Sequence, residues 1–236
     1  MHALLHMVWA DLCFAHWRWD AKDIAQRLPR GLSLDCSDGS AWLGVVPFRM
    51  QRVRPLGLGL PGGRGEFLEL NLRTYVRDSQ GRPGVWFFSL DCSDPVAVAM
   101  ARFGFGLPYR RATLTASAVG EGRPVAYAGR IVGGPVHYVW RQSSAWRRAA
   151  ADPLEAFLLE RYRLFARRQG SLVTGQVAHA PYHIASAHLR LHSDASFIGN
   201  GFTPPCRPPD HVAIARPVAV RASSPQRVEI GGRTKP

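Results

Sequence analysis

The feature that most constrains the fold is a series of short runs rich in β-branched, aromatic or alternating residues, each bounded by Gly, Pro, Asp or Ser. Helices do not alternate regularly with these runs. We therefore predict an α+β, mainly β fold built on an antiparallel sheet or barrel, rather than a doubly wound fold. The predicted strands are "AWLGVVPFRM" (41–50), "EFLELNLRTYVR" (66–77), "GVWFFSLD" (84–91), "RATLTASAVG" (111–120), "PVAYAGRIVGG" (124–134), "SLVTGQVAHA" (171–180), "IASAHLRLH" (184–192) and "HVAIARPVAV" (211–220).

Three helices are predicted from their capping residues, an aspartate before the first turn and a proline or glycine at the end. The caps and ends are Asp20 with Pro29, Asp94 with Gly104 or Gly106, and Asp152 with Gly170. In the third helix, an apolar stripe at helical spacing is predicted to pack against the core. Its residues are Leu154, Phe157, Leu158, Tyr162 and Phe165.

The length and apolar content of the chain suit one globular core. The 236 residues are 46% hydrophobic, which is within the range of a single β-rich domain. Residues 223–236 are polar and contain Ser, Pro and Gly, so we predict a domain over 1–222 followed by a flexible tail. A homo-oligomer is compatible with this organisation.

The formal net charge of +13 raises the question of a nucleic-acid partner. The basic residues are almost all arginines spread along the chain, and the lysines are Lys22 and Lys235. This dispersion favours a solvated surface over a nucleic-acid footprint.

The cysteines and the N-terminal segment indicate the compartment. Cys13, Cys36, Cys92 and Cys206 stand far apart, without the close pairs of a zinc or redox motif. The apolar start lacks a basic leader and a small-residue cleavage site, and no run approaches the roughly eighteen apolar residues of a membrane span. We expect a cytoplasmic protein that does not associate with membranes.

The predicted strand over 66–77 has two faces of different character. Leu68, Leu70, Leu72 and Val76 fall on one face, and Phe67, Glu69, Asn71, Arg73 and Tyr75 fall on the other. Such alternation is most often an antiparallel strand with one face in water, and the strand alone favours that interpretation. The alternative is a barrel strand that presents its polar residues to an enclosed cavity.

The segment "ARFGFGLPYRRA" (101–112) resembles the active-site segment of the acetoacetate decarboxylase family, which runs Arg-Glu, a few residues, an aromatic, Pro and two lysines. Tyr109 falls at the position of the Schiff-base lysine, and Arg110 falls at that of its neighbour. "EFLEL" is similar to the strand that carries the family's active-site glutamate, which would be Glu69. "DAKDIAQRLPRGL" (20–32) resembles its early helix.

Nearly the whole chain resembles the uncharacterised bacterial DUF2071, or YqjF-like, family of the same superfamily. The residues that carry the resemblance are "FAHW" (14–17), "DGSAWLGVVPF" (38–48), "ELNLRTYV" (69–76), "GVWFFSLD" (84–91), "ARFGFGLPY" (101–109), "LLERYRLF" (158–165) and "VAHAPY" (177–182). The resemblance implies an antiparallel, cone-like β-barrel of the acetoacetate decarboxylase type with a few peripheral helices and an internal ligand cavity.

The departures from the decarboxylases bear on the chemistry. An imine requires an amine. Tyr109 cannot supply one, and neither Lys22 nor Lys235 lies in a predicted cavity segment, so the resemblance implies a protein without Schiff-base decarboxylation. The alignment also puts Ala10 where the decarboxylases carry a substrate-binding arginine.

The candidate site therefore consists of an acid–base pair and a set of polar side chains. Glu69 and Tyr109 are the candidate catalytic residues. The candidate ligand-binding residues are His16, Asn71, Arg73, Tyr75, Arg102 and Arg110. An arginine-rich pocket favours a carboxylate or another oxyanion, and a tyrosine near arginine can act as a general acid or base.

Each of these residues also has a structural interpretation. Glu69 and Arg73 can form an internal salt bridge, and Arg102 can complement a helix dipole. Tyr109 can pack into the barrel, and His16 can be a hydrogen-bonded structural histidine. These alternatives stay open at the level of sequence.

No metal site and no cofactor are expected. His179 and His183 have the spacing of one helical turn, but Pro181 lies between them, and His188 and His192 share that spacing in a predicted strand. The chain contains no nucleophile elbow and no glycine-rich phosphate loop after a strand.

Three functions remain possible from the sequence. The first is a barrel that binds or acts on a small organic acid or oxo compound, as a lyase or a hydrolase, through Glu69, Arg73 and Tyr109. The second is a noncatalytic ligand-binding or interaction module. The third and least favoured is a nucleic-acid binder.

Overall fold

Strands dominate the fold, as the succession of short β-type runs predicts. A computed structural model describes residues 3–58, 65–117, 123–191 and 193–229. The strands of the described residues are β1 (Ala3–Ala10), β2 (Leu12–Trp19), β3 (Leu32–Leu34), β4 (Ala41–Pro55), β5 (Phe67–Asp78), β6 (Pro83–Cys92), β7 (Tyr109–Arg111), β8 (Thr113–Ala116), β9 (Val125–Ile131), β10 (Gly134–Gln142), β11 (Arg147–Arg148), β12 (Arg163–Arg168), β13 (Ser171–Ala178), β14 (His183–Leu191), β15 (His211–Ala215), β16 (Val218–Ser223) and β17 (Gln226–Arg227). The helices are α1 (Ala21–Ala25), α2 (Pro95–Phe105), α3 (Pro153–Leu159) and α4 (Ala195–Ile198).

Seven strands close a barrel. The order around it is β1, β4, β5, β6, β12, β13 and β16, and β16 pairs back onto β1. All neighbours are antiparallel except β6 and β12, which run parallel. The predicted mainly β, acetoacetate decarboxylase-type barrel with a few helices is confirmed.

A second layer covers the outer face of β4 and β5. The first half of β4 pairs with β2, and its second half pairs with β1, so this 15-residue strand belongs to both layers. From β2 the second layer continues through β15, β14, β10, β9 and β8. One apolar core lies inside the barrel and extends along one face of β2 and β15, and another packs the outer face of β4 and β5 against β9, β10 and α4.

The alternation of β5 divides these two cores. Leu68, Leu70 and Leu72 pack in the core between the layers. Glu69 and Asn71, on the opposite face, expose only 2% and 4% of their surface. The face predicted from the strand alone to meet solvent is instead buried inside the barrel, because a closed sheet with a covering layer leaves neither side of β5 in water.

The first two predicted helices form with their predicted N-terminal caps, but α1 ends at Ala25, before the predicted end at Pro29. Asp20 accepts hydrogen bonds from the backbone N–H groups that begin α1, and Asp94 does the same for α2. Of the two glycines predicted to end α2, Gly106 does so, in a left-handed conformation with φ of 70°.

The third predicted helix is wrong beyond its second turn. Asp152 caps α3 as predicted, but the helix ends at Leu159, and Arg163–Arg168 form β12. The segment pairs on both sides, with β6 and with β13, and so closes the barrel. These pairings outweigh the helical preference of the segment, and Phe165 packs beside Val76 instead of extending a helical stripe.

Other elements also differ from the prediction. The apolar N-terminal segment forms β1 and β2, and β10 also has no counterpart among the predicted strands. Past the boundary predicted at 222/223, β17 pairs with β13 and Val228 is buried. Residues 118–122, His192 and residues 230–236 lie outside the described residues. Within the described chain, no helix has the length and apolar character needed to cross a membrane.

Candidate functional site

Glu69 and Tyr109 meet inside the barrel. Cys92 of β6 lies opposite Glu69 of β5, and β7 pairs in parallel with the other edge of β6 at Leu90. This arrangement turns Tyr109 to the same face as Glu69. The Tyr109 hydroxyl donates to Glu69 Oε2 at 2.5 Å, and both side chains are buried.

Burial sets the protonation of this pair. Desolvation raises the pKa of Glu69 to about 7, although the hydrogen bonds from Tyr109 and Asn71 oppose the shift. Desolvation and the neighbouring Glu69 carboxyl raise the pKa of Tyr109 well above its usual value. Glu69 can therefore gain or lose a proton near neutral pH, whereas Tyr109 remains a hydroxyl donor.

Arg73 reaches the barrel interior without a carboxylate partner. Its Nη2 donates to the Leu158 carbonyl at 3.1 Å, and its guanidinium lies 5.4 Å from the ring centre of Phe14 and 5.8 Å from that of Tyr75. Its Nε is buried without a hydrogen-bond partner. In the described part of the chain, no ion pair within 4.0 Å involves Arg73. The predicted alternative of a Glu69–Arg73 salt bridge is therefore not formed.

Asn71 and Tyr75 complete the polar face of β5. The Asn71 Oδ1 atom is buried without a partner. The Tyr75 hydroxyl donates to the Leu158 carbonyl at 2.8 Å, the acceptor that it shares with Arg73. The register of the β5–β6 pairing shifts between Leu72 and Arg73, because β6 contributes one extra residue, Phe88, at this point. The barrel thus directs a guanidinium and an amide oxygen inward with hydrogen-bonding capacity unused.

A chain of hydrogen bonds behind Tyr75 fixes its position. His16 Nε2 lies 2.8 Å from the Tyr75 hydroxyl, and its Nδ1 lies 3.1 Å from His211 Nδ1. His211 Nε2 in turn lies 3.5 Å from Glu155 Oε1, which also binds Arg147. His16 is fully buried, and Gly44 leaves the space for its ring, since a Cβ there would come within 2.8 Å of His16 Cδ2.

The donors in this chain can be assigned in order. Because the Tyr75 hydroxyl donates to a carbonyl, its oxygen accepts from His16 Nε2–H. Burial, with His211 and Arg73 nearby, holds the pKa of His16 well below its usual value, so His16 is neutral and its Nδ1 accepts. His211 Nδ1 must then be the donor. His16 is hydrogen-bonded as its structural interpretation expects, and it also orients a residue of the candidate site.

Arg102 and Arg110 do not join the other candidates. Arg102 lies exposed in the last turn of α2, where it complements the helix dipole. Arg110 follows Tyr109 on β7 and therefore points to the opposite face, where it donates to Gly199 and Asn200. Both predicted ligand contacts thus lie away from Glu69, Arg102 at the end of a helix and Arg110 on the opposite face of β7.

Sequence reasoning missed His211 and Glu155. His211 lies opposite His16 because β15 pairs with β2, and 195 residues separate the two histidines. Glu155 belongs to α3, whose Leu158 carbonyl also meets Arg73 and Tyr75. No local pattern could reveal contacts that depend on the closure of the sheet.

His179 and Lys22 lie away from the candidate site. His179 packs against Trp9, Tyr162 and Tyr182, with its Nδ1 2.8 Å from the Ala180 carbonyl. Among the described residues, no group of three or more His, Cys, Asp or Glu side chains has the geometry to hold a metal ion. Lys22 is exposed on α1, and Lys235 lies outside the described residues.

Solved structures resemble this fold at low sequence identity. The enduracididine biosynthesis enzyme MppR, solved with the condensation product of pyruvate and imidazole 4-carboxaldehyde, has a TM-score of 0.67 and 15% identity over 97% of this chain and 90% of its own. Acetoacetate decarboxylase from Legionella pneumophila has a TM-score of 0.66 and 14% identity over 94% of this chain and 87% of its own. At these identities the similarity concerns the fold.

Sequence comparison identifies the family. The uncharacterized protein YqjF of Bacillus subtilis is 33% identical over 205 residues, which are 86% of this chain and 84% of that protein. The model of the DUF2071 family, described as an uncharacterized conserved protein, matches residues 6–219. The chain belongs to the DUF2071 family.

Proposed function

We propose that the barrel interior binds a small oxo acid and that Glu69 and Tyr109 move a proton at the carbon next to its carbonyl group. The observation that carries this proposal is the guanidinium of Arg73, which faces the barrel interior without a carboxylate partner in the described chain. Charged groups inside proteins are normally paired. An anionic ligand would supply the missing partner.

The unused hydrogen-bonding atoms indicate what such a ligand carries. A carboxylate can accept from Arg73 Nε, and Asn71 Oδ1 can accept from a hydroxyl of the ligand or of its enol form. The Cα atoms of Glu69 and Arg73 are about 13 Å apart along β5, and both long side chains extend into the barrel. In the proposed complex the carboxylate lies at Arg73 and the carbonyl group lies near Tyr109.

The acid–base step follows from the properties of the pair. The ionised Glu69 removes a proton from the carbon next to the carbonyl group, and the Tyr109 hydroxyl turns from Glu69 to donate to the carbonyl oxygen as negative charge develops there. The carbon of the enolate then regains a proton from Glu69. A base whose pKa is about 7 is suited to this exchange at neutral pH. No amine takes part, so the proposed step forms no imine.

The fold neighbours support the choice of ligand class. MppR has also been solved with pyruvate, at a TM-score of 0.66 to this chain. Pyruvate is the smallest 2-oxo acid, and its methyl protons are next to the carbonyl group. It is therefore the first ligand to test.

The test is deuterium exchange into the methyl group of pyruvate in D₂O, followed by proton NMR. We expect the wild-type protein to accelerate the exchange. The exchange rate should fall at least about 100-fold in Glu69→Gln and by a smaller factor in Tyr109→Phe. Arg111→Gln is the control, because Arg111 is an exposed residue of the strand that carries Tyr109. Binding without exchange would favour the noncatalytic ligand-binding module. The absence of both binding and exchange of oxo acids would contradict the proposal.

A further inference from the structure

A concave surface lies on the outside of the barrel, away from Glu69 and Arg73. It runs across β13, β16, β1 and β4, and its volume is about 650 Å³, which is in the range of small-molecule sites. We call it the outer groove. Its basic residues are His6, Arg52, Arg54, His179 and Arg221. Its floor contains small apolar residues, including Val8 and Ala219, and no acidic residue lines it in the described chain.

Strand register concentrates positive charge in the outer groove. His6 of β1 lies directly opposite Arg54 of β4 on one side and Arg221 of β16 on the other. Side chains opposite each other on neighbouring antiparallel strands lie about 5 Å apart at Cβ. The three strands thus form a row in which two arginines flank a histidine.

Elsewhere on β4, the charge of Arg49 is neutralised by acidic partners. Arg49 of β4 donates to Asp11 at 2.8 Å and to Glu66 at 2.8 Å. Arg52, Arg54 and Arg221 form no ion pair within 4.0 Å in the described part of the chain. The outer groove therefore contains the part of β4 where positive charge accumulates without compensation.

The backbone is also unusual at this point. Arg52 has a φ of 52°, a left-handed backbone conformation that residues other than glycine seldom adopt. The register of β1 and β4 shifts between His6 and Val8, opposite this residue. Arg52 and Arg54 are both exposed on either side of the buried Val53. Strained residues of this kind cluster at ligand sites.

We infer that the outer groove is a second ligand site, which binds the phosphate group of a small molecule. Arginine pairs with phosphate through two parallel hydrogen bonds, so guanidinium groups on opposite sides of His6 suit an anion with several oxygen atoms. The apolar floor suits an uncharged body attached to the phosphate. The small concave volume distinguishes this site from the extended track that a nucleic-acid backbone requires.

The test is isothermal titration calorimetry with inorganic pyrophosphate as the probe at low ionic strength. We expect Arg54→Ser and Arg221→Ser each to weaken binding about tenfold or more, because each removes a bidentate contact. The matched control is Arg130→Ser, since Arg130 is an exposed arginine on β9, away from the outer groove. Its affinity should stay within about twofold of the wild-type value.

A thermal-unfolding scan of each variant separates loss of the site from loss of the fold. We expect the melting temperatures of Arg54→Ser and Arg221→Ser to stay close to the wild-type value, because both arginines are exposed and form no ion pair in the described chain. The inference would be overturned if pyrophosphate does not bind the wild-type protein, or if all three variants lose affinity equally. Tighter binding of a short DNA duplex through the same two arginines would also overturn it, in favour of a nucleic-acid surface.

Discussion

At the scale of single residues, the candidate site consists of polar groups held inside an apolar barrel. Tyr109 and Glu69 satisfy each other, whereas Arg73 and Asn71 retain unused hydrogen-bonding atoms. An unpaired polar group costs free energy when it is buried, so a site that keeps such groups stabilises its fold less than an apolar core would. A bound ligand recovers part of that cost.

The protonation of Glu69 should be measurable through stability. In the folded protein its carboxyl group keeps a proton up to about pH 7, whereas the ordinary pKa is 4.5. The folded state therefore binds more protons than the unfolded state between these values. The free energy of unfolding should fall by about 3 kcal/mol as the pH rises through that interval.

Glu69→Gln removes this titration. We expect the variant to gain stability relative to the wild-type protein between pH 5 and pH 8, as measured by urea denaturation at each pH. Tyr109→Phe, which keeps the carboxyl group, is the matched control and should retain the fall with pH. Parallel pH profiles of stability for the wild-type protein and Glu69→Gln would show that burial does not shift the pKa of the Glu69 carboxyl group.

The residues of the site were predictable to different extents. The family resemblance identified Glu69 and Tyr109, which the structure brings within hydrogen-bonding distance. It also suggested Arg110, but strand alternation turns that side chain to the opposite face. His211 was not predictable, because its contact with His16 arises only when β2 and β15 pair.

At the scale of elements, strand pairing determines the secondary structure of segments whose local sequence preference does not determine it. The run from Arg163 to Arg168 has the composition of a helix end but forms β12, because β6 and β13 offer it partners on both edges. The caps of α1 and α2 were predictable, since a side chain that binds its own backbone needs no tertiary contact.

Gly44 connects the packing of β4 to the site. A Cβ at this position would lie 2.8 Å from His16 Cδ2 and 3.5 Å from Arg73 Cγ. We expect Gly44→Ala to lower the free energy of unfolding by about 1–3 kcal/mol, because the buried imidazole must shift. The displaced ring would also loosen Tyr75, so pyruvate affinity should fall with stability.

Gly104→Ala is the matched control for that substitution. A Cβ at Gly104 in α2 meets nothing within 4 Å, so alanine should raise stability by about 0.5–1 kcal/mol. Chemical denaturation of both variants gives the comparison. Equal effects at the two glycines would contradict the close packing assigned to Gly44.

At the scale of the whole molecule, the barrel depends on the pairing of β12 with β6. Gly84 of β6 lies at this closure, where a Cβ would come within 2.7 Å of Phe165 Cε2 and 2.8 Å of the Arg163 carbonyl oxygen. Because one of these atoms belongs to the backbone, the neighbouring strand itself would have to move. The mainly β class was predictable from the sequence, but this closure was not, since it uses the segment predicted to be helical.

We expect Gly84→Ala to destabilise the protein by about 2–3 kcal/mol and to speed hydrogen exchange at the amides of Leu164 and Phe165. Gly175→Ala is the control on the other side of β12, where a Cβ would make an ordinary contact of 3.4 Å with Leu164 Cδ1. It should change stability by less than about 1 kcal/mol. If the two variants are equally stable, the closure at β6 and β12 is not as tightly packed as described.

At this scale, the closed barrel is proposed to bind an oxo acid through Arg73. The most direct measurement is a calorimetric titration of the wild-type protein, Arg73→Gln and Arg111→Gln with pyruvate. We expect Arg73→Gln to bind at least about tenfold more weakly, because it removes the charged hydrogen-bond donor, and Arg111→Gln to bind like the wild-type protein. Equal affinity of Arg73→Gln and the wild-type protein would contradict the claim.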